Sequence, residues 1–276
     1  MISFGFNDRS FRSFVFRQRY LLAFGLGILL IRAAIAQPLP VHPSTDPPIQ
    51  TDRPSFSASA ALVPPRSLQL EAGAKRTSSS SDRKLEWGQV LLRYGLSSIT
   101  ELRLGLNSFN VTEQTSSQKK GLEDATLAAK FRLLSEAEGV RPAVSLLPSL
   151  SLPTGHSSIS SDDAIPSLSL LLDWSLSGPF SLTSNLAWTH ARSGDGNFDK
   201  FSASLLLGFQ LANHLSGYAE GYVFDREMPR GDSTSFADMG LIYQITHTFT
   251  LDATLGFGLS GTETDYFFGI GLGKRW

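Results

Sequence analysis

The residues best suited to chemistry stand in stretches rich in serine and aspartate. His156 and Ser158 are two apart, a spacing that puts both side chains on one face of an extended chain. A hydroxyl beside an imidazole base is the beginning of a hydrolytic site. No Asn or acid stands at a spacing that would orient the imidazole, and serine-rich loops produce such pairs by chance. Asp162-Asp163 offers paired carboxylates for acid–base work. In a polar loop such residues more often serve solubility and turns. Asp195-Gly196-Asn197-Phe198-Asp199 opens like a calcium loop but lacks the remaining ligand spacing and the closing Glu, so it reads as a turn. His190 has Arg192 two residues on and no serine partner, while His42, His214 and His247 are scattered without metal-ligand spacing. The chain contains no cysteine, which removes disulfides, thiolate metal sites and cysteine nucleophiles. With a formal net charge of -1 it carries no basic field for nucleic acid. On these grounds the expectation is a protein that is not an enzyme and needs no cofactor.

A second set of charges is more informative because of the segments that carry it. From Ser67 to Trp276, stretches of about ten residues alternate apolar and polar, the signature of membrane β-strands. The strands are expected over 67–76, 85–95, 100–109, 122–133, 142–153, 165–176, 180–190, 200–211, 215–225, 235–246, 249–260 and 265–276. One parity is apolar, as in Leu102, Leu104 and Leu106, or in Phe201, Ala203, Leu205, Leu207, Phe209 and Leu211. The opposite parity holds Arg93, Glu101, Arg103, Lys130, Arg132, Asp173, Asp252 and Arg275. In a sandwich the polar parity would face water; in a membrane barrel it faces the lumen.

Connection lengths separate these two architectures. Links at 96–99, 134–141, 177–179, 212–214 and 247–248 are mostly tight. Those at 77–84, 110–121, 154–164, 191–199 and 226–234 are longer and polar, and only the last, 261–264, breaks the alternation. Tight periplasmic turns and longer outer loops are what a barrel produces, and a Greek-key sandwich has no reason to alternate so. Tyr94, Trp174, Phe180 and Trp276 fall near the tight-turn ends, with Trp188 and Tyr266 near the other, as an interface belt requires. The expected fold is therefore all-β, an antiparallel transmembrane barrel of about twelve strands. Its charged lumen residues would form a mixed-sign belt near the periplasmic end, acting as a solute constriction, as a self-paired network that narrows the lumen, or as both.

The N-terminus agrees with export. Arg9, Arg12, Arg17 and Arg19 precede an apolar run from Tyr20 to Ile31 that ends at Arg32. A spanning helix needs about 20 apolar residues, so the run is too short to anchor. Ala34-Ile35-Ala36 offers the small residues of a signal-peptidase site, with cleavage between Ala36 and Gln37. Three regions follow: a signal peptide over 1–36, a proline-rich extension over 37–66, and a barrel over 67–276.

Several words of the sequence occur in the order of one known family. They are Thr51-Asp52-Arg53-Pro54, Val63-Pro64-Pro65, Leu68-Gln69-Leu70-Glu71-Ala72-Gly73, Leu91-Leu92-Arg93-Tyr94-Gly95-Leu96 and Glu101-Leu102-Arg103-Leu104-Gly105. Gly121-Leu122-Glu123-Asp124, Ala129-Lys130-Phe131-Arg132, Ser151-Leu152-Pro153-Thr154-Gly155, Leu251-Asp252-Ala253 and Asp265-Tyr266-Phe267 follow. The chain resembles the outer-membrane barrel group named for a link to the meta-pathway of phenol degradation, often labelled "transporter". The resemblance implies a barrel in the cell outer membrane with a transport role. It does not extend to phenol itself and brings no aromatic-binding residues. The leading expectation is a channel for a small solute, hydrophobic or aromatic ones being candidates. The alternatives are a structural or surface-binding barrel with a plugged lumen and, third, an outer-membrane hydrolase. Expected partners are outer-membrane lipid, the barrel-assembly machinery, which would read the terminal aromatic Trp276, and the solute.

Gly73 of the first expected strand, Gly256 and Gly258 of the eleventh, and Gly269, Gly271 and Gly273 of the twelfth share the lumen parity, and the first and twelfth strands must meet if the barrel closes. Glycine within strands often marks close approach of another backbone. The extension enters beside this wall and is expected to fold partly into the lumen, with Asp52 and Arg53 meeting the belt.

Overall fold

A computed structural model describes residues 47–114, 117–137, 141–193 and 196–276. The cleavage pair Ala36–Gln37, together with His42 and Asp195, lies outside the described residues. The chain forms β1 (Leu68–Ser79), β2 (Asp82–Gly95), β3 (Thr100–Gln114), β4 (Gln118–Leu122), β5 (Ala125–Leu134), β6 (Ala143–Leu152) and β7 (Ile165–Ser175). It continues with β8 (Phe180–Ser193), β9 (Gly196–Ala212), β10 (Leu215–Phe224), β11 (Thr234–Thr246), β12 (Phe249–Ser260) and β13 (Thr264–Arg275). Apart from β4 and β5, sequence neighbours pair antiparallel, and β1 pairs with β13 from Gln69↔Arg275 to Ser79↔Thr264, closing the sheet. Because β4 and β5 both pair with β3, they are two parts of one stave, and the barrel has twelve.

The barrel is inside out relative to a soluble protein. Glu71, Glu101 and Lys130 are 0% exposed, whereas Leu205 is 55% and Leu259 64% exposed. A sandwich would bury the leucines and expose the charges. Here the leucines face lipid, and closure leaves no unpaired strand edge within it.

Two expectations about the strands need correction. The alternation predicts one strand over 122–133, but the stave is interrupted at Glu123 and Asp124. Glu123 accepts hydrogen bonds from Ser108 N (3.1 Å) and Asn110 Nδ2 (2.7 Å), so its side chain competes with the ladder. Opposite the break, Asn107 adopts a positive φ of 51°. The predicted loops 77–84, 110–121 and 191–199 are also too long. β1 runs to Ser79 and β2 begins at Asp82; β3 runs to Gln114 and β4 begins at Gln118; β8 runs to Ser193 and β9 begins at Gly196. Above the lipid both strand faces meet water, so pairing continues after the apolar alternation has ended.

Candidate functional site

The lumen is crossed by residues 49–65, which form no ladder with the wall. Proline at 54, 64 and 65 removes backbone donors, so the remaining groups must be satisfied otherwise. They bind the polar side chains of the inner wall. The segment starts near the periplasmic turns, where Ile49 N donates to His247 O at 2.9 Å and Arg275 Nη2 donates to Pro47 O at 2.6 Å. Asp52 N and Arg53 N donate to Glu71 on β1 at 3.0 and 3.1 Å. Phe56 N and Ser57 N donate to the two oxygens of Glu220 on β10, each at 2.8 Å. Ser57 Oγ lies 2.7 Å from Ser204 Oγ on β9, and Ala58 exchanges two bonds with Asn185 on β8 (2.7 and 2.9 Å). Asp173 on β7 accepts from Ser59 Oγ and Ala60 N, both at 2.7 Å. Ala60 O accepts from Ser145 on β6 (2.7 Å) and from Arg132 on β5 (3.2 Å). Val63 N reaches Glu101 on β3 at 2.7 Å, and Pro65 bridges to Gly95 at the end of β2. The segment therefore makes one circuit of the inner wall, a collar bonded in turn to nearly every stave.

The run Ser57-Ala58-Ser59-Ala60-Ala61 explains why this stretch can lie so close. Its side chains are short, so the backbone itself reaches the wall's carboxylates and amides. Ala60 is buried among Ala143, Leu171, Ala58 and Leu147, an apolar patch on the inner wall. Gly95 matters similarly: a side chain there would run into the carbonyl of Pro64.

Asp52 and Arg53 hold the charged part of the collar. Asp52 pairs with Arg103, with Arg93 at 3.4 Å and with Lys130 at 3.7 Å. Arg93 also meets Glu71 at 2.9 Å and Glu101 at 2.8 Å, so four staves and the collar share one network. Lys130 donates to the carbonyls of Ser59 (2.7 Å) and Ala61 (3.1 Å). Arg53 spans the seam, pairing with Asp252 on β12 at 3.3 Å and donating to Gln89 Oε1 on β2 at 2.5 Å. Buried charges need partners to persist, and each of these has one.

Seven of the eight charged wall residues singled out in the sequence (Arg93, Glu101, Arg103, Lys130, Arg132, Asp173 and Asp252) thus touch the collar, and the eighth, Arg275, holds Pro47 just before it. Glu71, Asn185 and Glu220 belong to the same site and were missed, although their parity marks them as inward. The glycine wall holds only in part. A side chain at Gly73 or Gly271 would meet Arg53, and one at Gly273 would meet Thr51. Gly256, Gly258 and Gly269 instead make room for Phe267, the backbone at Thr264, and Thr254. Trp276 is exposed at the periplasmic rim and exchanges backbone hydrogen bonds with Leu68 at 2.8 and 3.1 Å.

The loop residues considered for catalysis are otherwise engaged. His156 Nδ1 lies 2.9 Å from Ser158 Oγ, but among the described residues no carboxylate bonds the imidazole. Asp163 pairs with Arg192, separate from Asp162. Asp199 accepts from Trp188 Nε1 (3.1 Å) and lies 2.9 Å from His190 Nδ1, bracing the outer end of the β8–β9 hairpin.

Beneath the collar is a cavity of about 1030 Å³, reaching down to the periplasmic turns at Gly178-Pro179 and Asn213-His214. Thr51, Arg53, Ser55, Ser57, Ser59 and Ala61 form its roof.

Residues 51–276 match the sequence profile of the family described as "Putative MetA-pathway of phenol degradation". No curated protein matches the sequence. Among solved structures, the COG4313 outer membrane channel from Pseudomonas putida F1 superposes with a TM-score of 0.59 at 13% identity, covering 78% of this chain and 97% of that one. The NanC porin gives a TM-score of 0.51 at 9% identity, covering 75% of this chain and 98% of that one. At these identities the likeness shows a shared fold, that of outer-membrane barrels.

Proposed function

The chain belongs to the family described as "Putative MetA-pathway of phenol degradation", and from that premise we propose that it is an outer-membrane channel for a small solute, with the collar as its constriction. The observation that carries this reading is the cavity of about 1030 Å³ between the collar and the periplasmic turns. A purely structural barrel has no need of such a space. The collar is held by side chains and not by a ladder, so its obstruction depends on bonds that can open individually. Its mixed charges suit a filter that sorts solutes by their charge and polarity. We also take residues 1–36 as a signal peptide and 37–66 as the segment that supplies the collar.

Planar-bilayer conductance tests the channel reading. The full barrel should conduct weakly, and removal of residues 37–62 should raise single-channel conductance severalfold. If neither form conducts while both show the heat-dependent gel shift of a folded barrel, the protein is a structural or surface-binding barrel instead.

A further inference from the structure

Above the collar, on the side of the longer loops, β10 and β11 turn aromatic rings into the lumen. Tyr222 and Phe236 stack at 5.0 Å with planes 14° apart. Phe56 of the collar stacks on Tyr222 at 4.3 Å and 12°. Phe224 stands edge-on to Phe56, Tyr222 and Phe236 at 5.4, 6.0 and 6.2 Å. Stacked and edge-to-face arrangements are those that rings prefer. Three of these rings come from the wall, and one is lent by a segment otherwise held through its backbone.

That backbone is pinned independently of the ring, through the bonds of Phe56 N and Ser57 N to Glu220. The Phe56 side chain can therefore rotate away without detaching the collar. It is 40% exposed although it lies inside the barrel, so part of its surface already faces open lumen. Lys200 places its ammonium 5.0 Å from the Phe224 ring centroid. Lys200 lies two residues beyond the Ser202 that pairs with Phe224, toward the outer mouth. Glu220 and Asp238, directly paired in register, lie on the collar side of the rings.

We propose that Phe56 is a resident, displaceable occupant of a ring-binding slot, and that the slot's ligand is a planar aromatic carboxylate arriving from the outer mouth. The ligand's ring replaces Phe56 between the face of Tyr222 and the edge of Phe224. Its carboxylate points outward to Lys200, because Glu220 and Asp238 on the inner side would repel it. One ring contact is exchanged for another of the same kind, so the exchange is close to balanced and the solute can leave again. The proposal deepens the channel reading and rests on it, by naming a solute class and the first place it is held.

The test is calorimetric titration of the full refolded barrel in detergent with benzoate, benzyl alcohol and cyclohexanecarboxylate. Benzoate should bind most tightly, benzyl alcohol more weakly, and cyclohexanecarboxylate not detectably. Phe56→Ala should tighten benzoate binding by roughly 3- to 10-fold, the worth of the ring pair no longer displaced. Tyr222→Ala should abolish binding. Phe56→Leu, which keeps the bulk but not the aromatic face, should also tighten it, and each variant is first checked for the gel shift of a folded barrel. Equal binding of benzoate and cyclohexanecarboxylate, or unchanged affinity in both Phe56 variants, overturns the proposal. Because binding is read without current, conductance with no binding refutes the slot alone, and absence of conductance with benzoate bound refutes the channel alone.

Discussion

Replacing Asp52 with asparagine keeps the shape of the collar's central side chain and removes its charge. Asp52 faces Arg103, Arg93 at 3.4 Å and Lys130 at 3.7 Å. Removing one partner of a buried ion pair costs about 3–5 kcal/mol, mostly because the other charge is left unmatched. The lower end applies here, since Arg93 keeps Glu71 at 2.9 Å and Glu101 at 2.8 Å. At roughly 1.4 kcal/mol per tenfold change, a loss of about 3 kcal/mol raises the population of the detached collar about 100-fold. Hydrogen exchange reads that population directly where opening is local. The amides of Phe56, Ser57, Ala58, Ala60 and Val63 donate only to side chains of the wall and should exchange about 100-fold faster in Asp52→Asn. Amides within the β8–β9 ladder should not change. If collar amides keep their protection, the charge network does not hold the collar, and the small residues of 57–61 packed on Leu171 do so instead.

Other expectations follow from single positions. Deleting Trp276 should lower the yield of assembled barrel measured by gel shift, because it removes the terminal aromatic and the last hydrogen-bonded pair with Leu68; an unchanged yield would limit Trp276 to interface anchoring. Gly95→Ala drives a methyl group into the Pro64 and Val63 carbonyls and should leave the collar open to protease near 63–65. Gly271→Ala meets only the flexible end of Arg53 and should leave the collar protected. Burial pushes the Asp124 carboxyl up, but hydrogen bonds from Ser161 and Gly155 outweigh it and hold the group below its usual value. Its anchoring of the 153–163 loop is therefore present above the ordinary carboxylate range and lost as pH falls through the lowered value. Proteolysis of that loop should increase only in acid, and a pH-independent cleavage rate would remove Asp124 as the anchor. Mass spectrometry of the mature protein should find Gln37 at its N-terminus; an intact Met1 would refute export through the predicted signal.

The sequence by itself determined the barrel. Alternation of period two is a local property, and a strand with leucines on one parity and charges on the other can be read without knowing its partner. The order of short and long connections then gave the direction of each stave. This is why Arg93, Glu101, Arg103 and Lys130 could be placed inside before any contact was visible. Parity failed where it was mixed. Leu171 and Leu147 point inward beneath Ala60, and the inward rings Tyr222, Phe224 and Phe236 alternate with small outward residues such as Ala219 and Gly221. Size and polarity gave no warning there, because those side chains are chosen to fit the collar and one another instead of lipid. The route of the collar itself was decided only by tertiary structure. Residues 49–65 carry no periodicity, and their backbone groups are satisfied one at a time by wall side chains 18 to 164 positions away in sequence. Local pattern records what a strand presents to its surroundings; which wall residue meets which collar amide depends on the closure of the whole sheet around it.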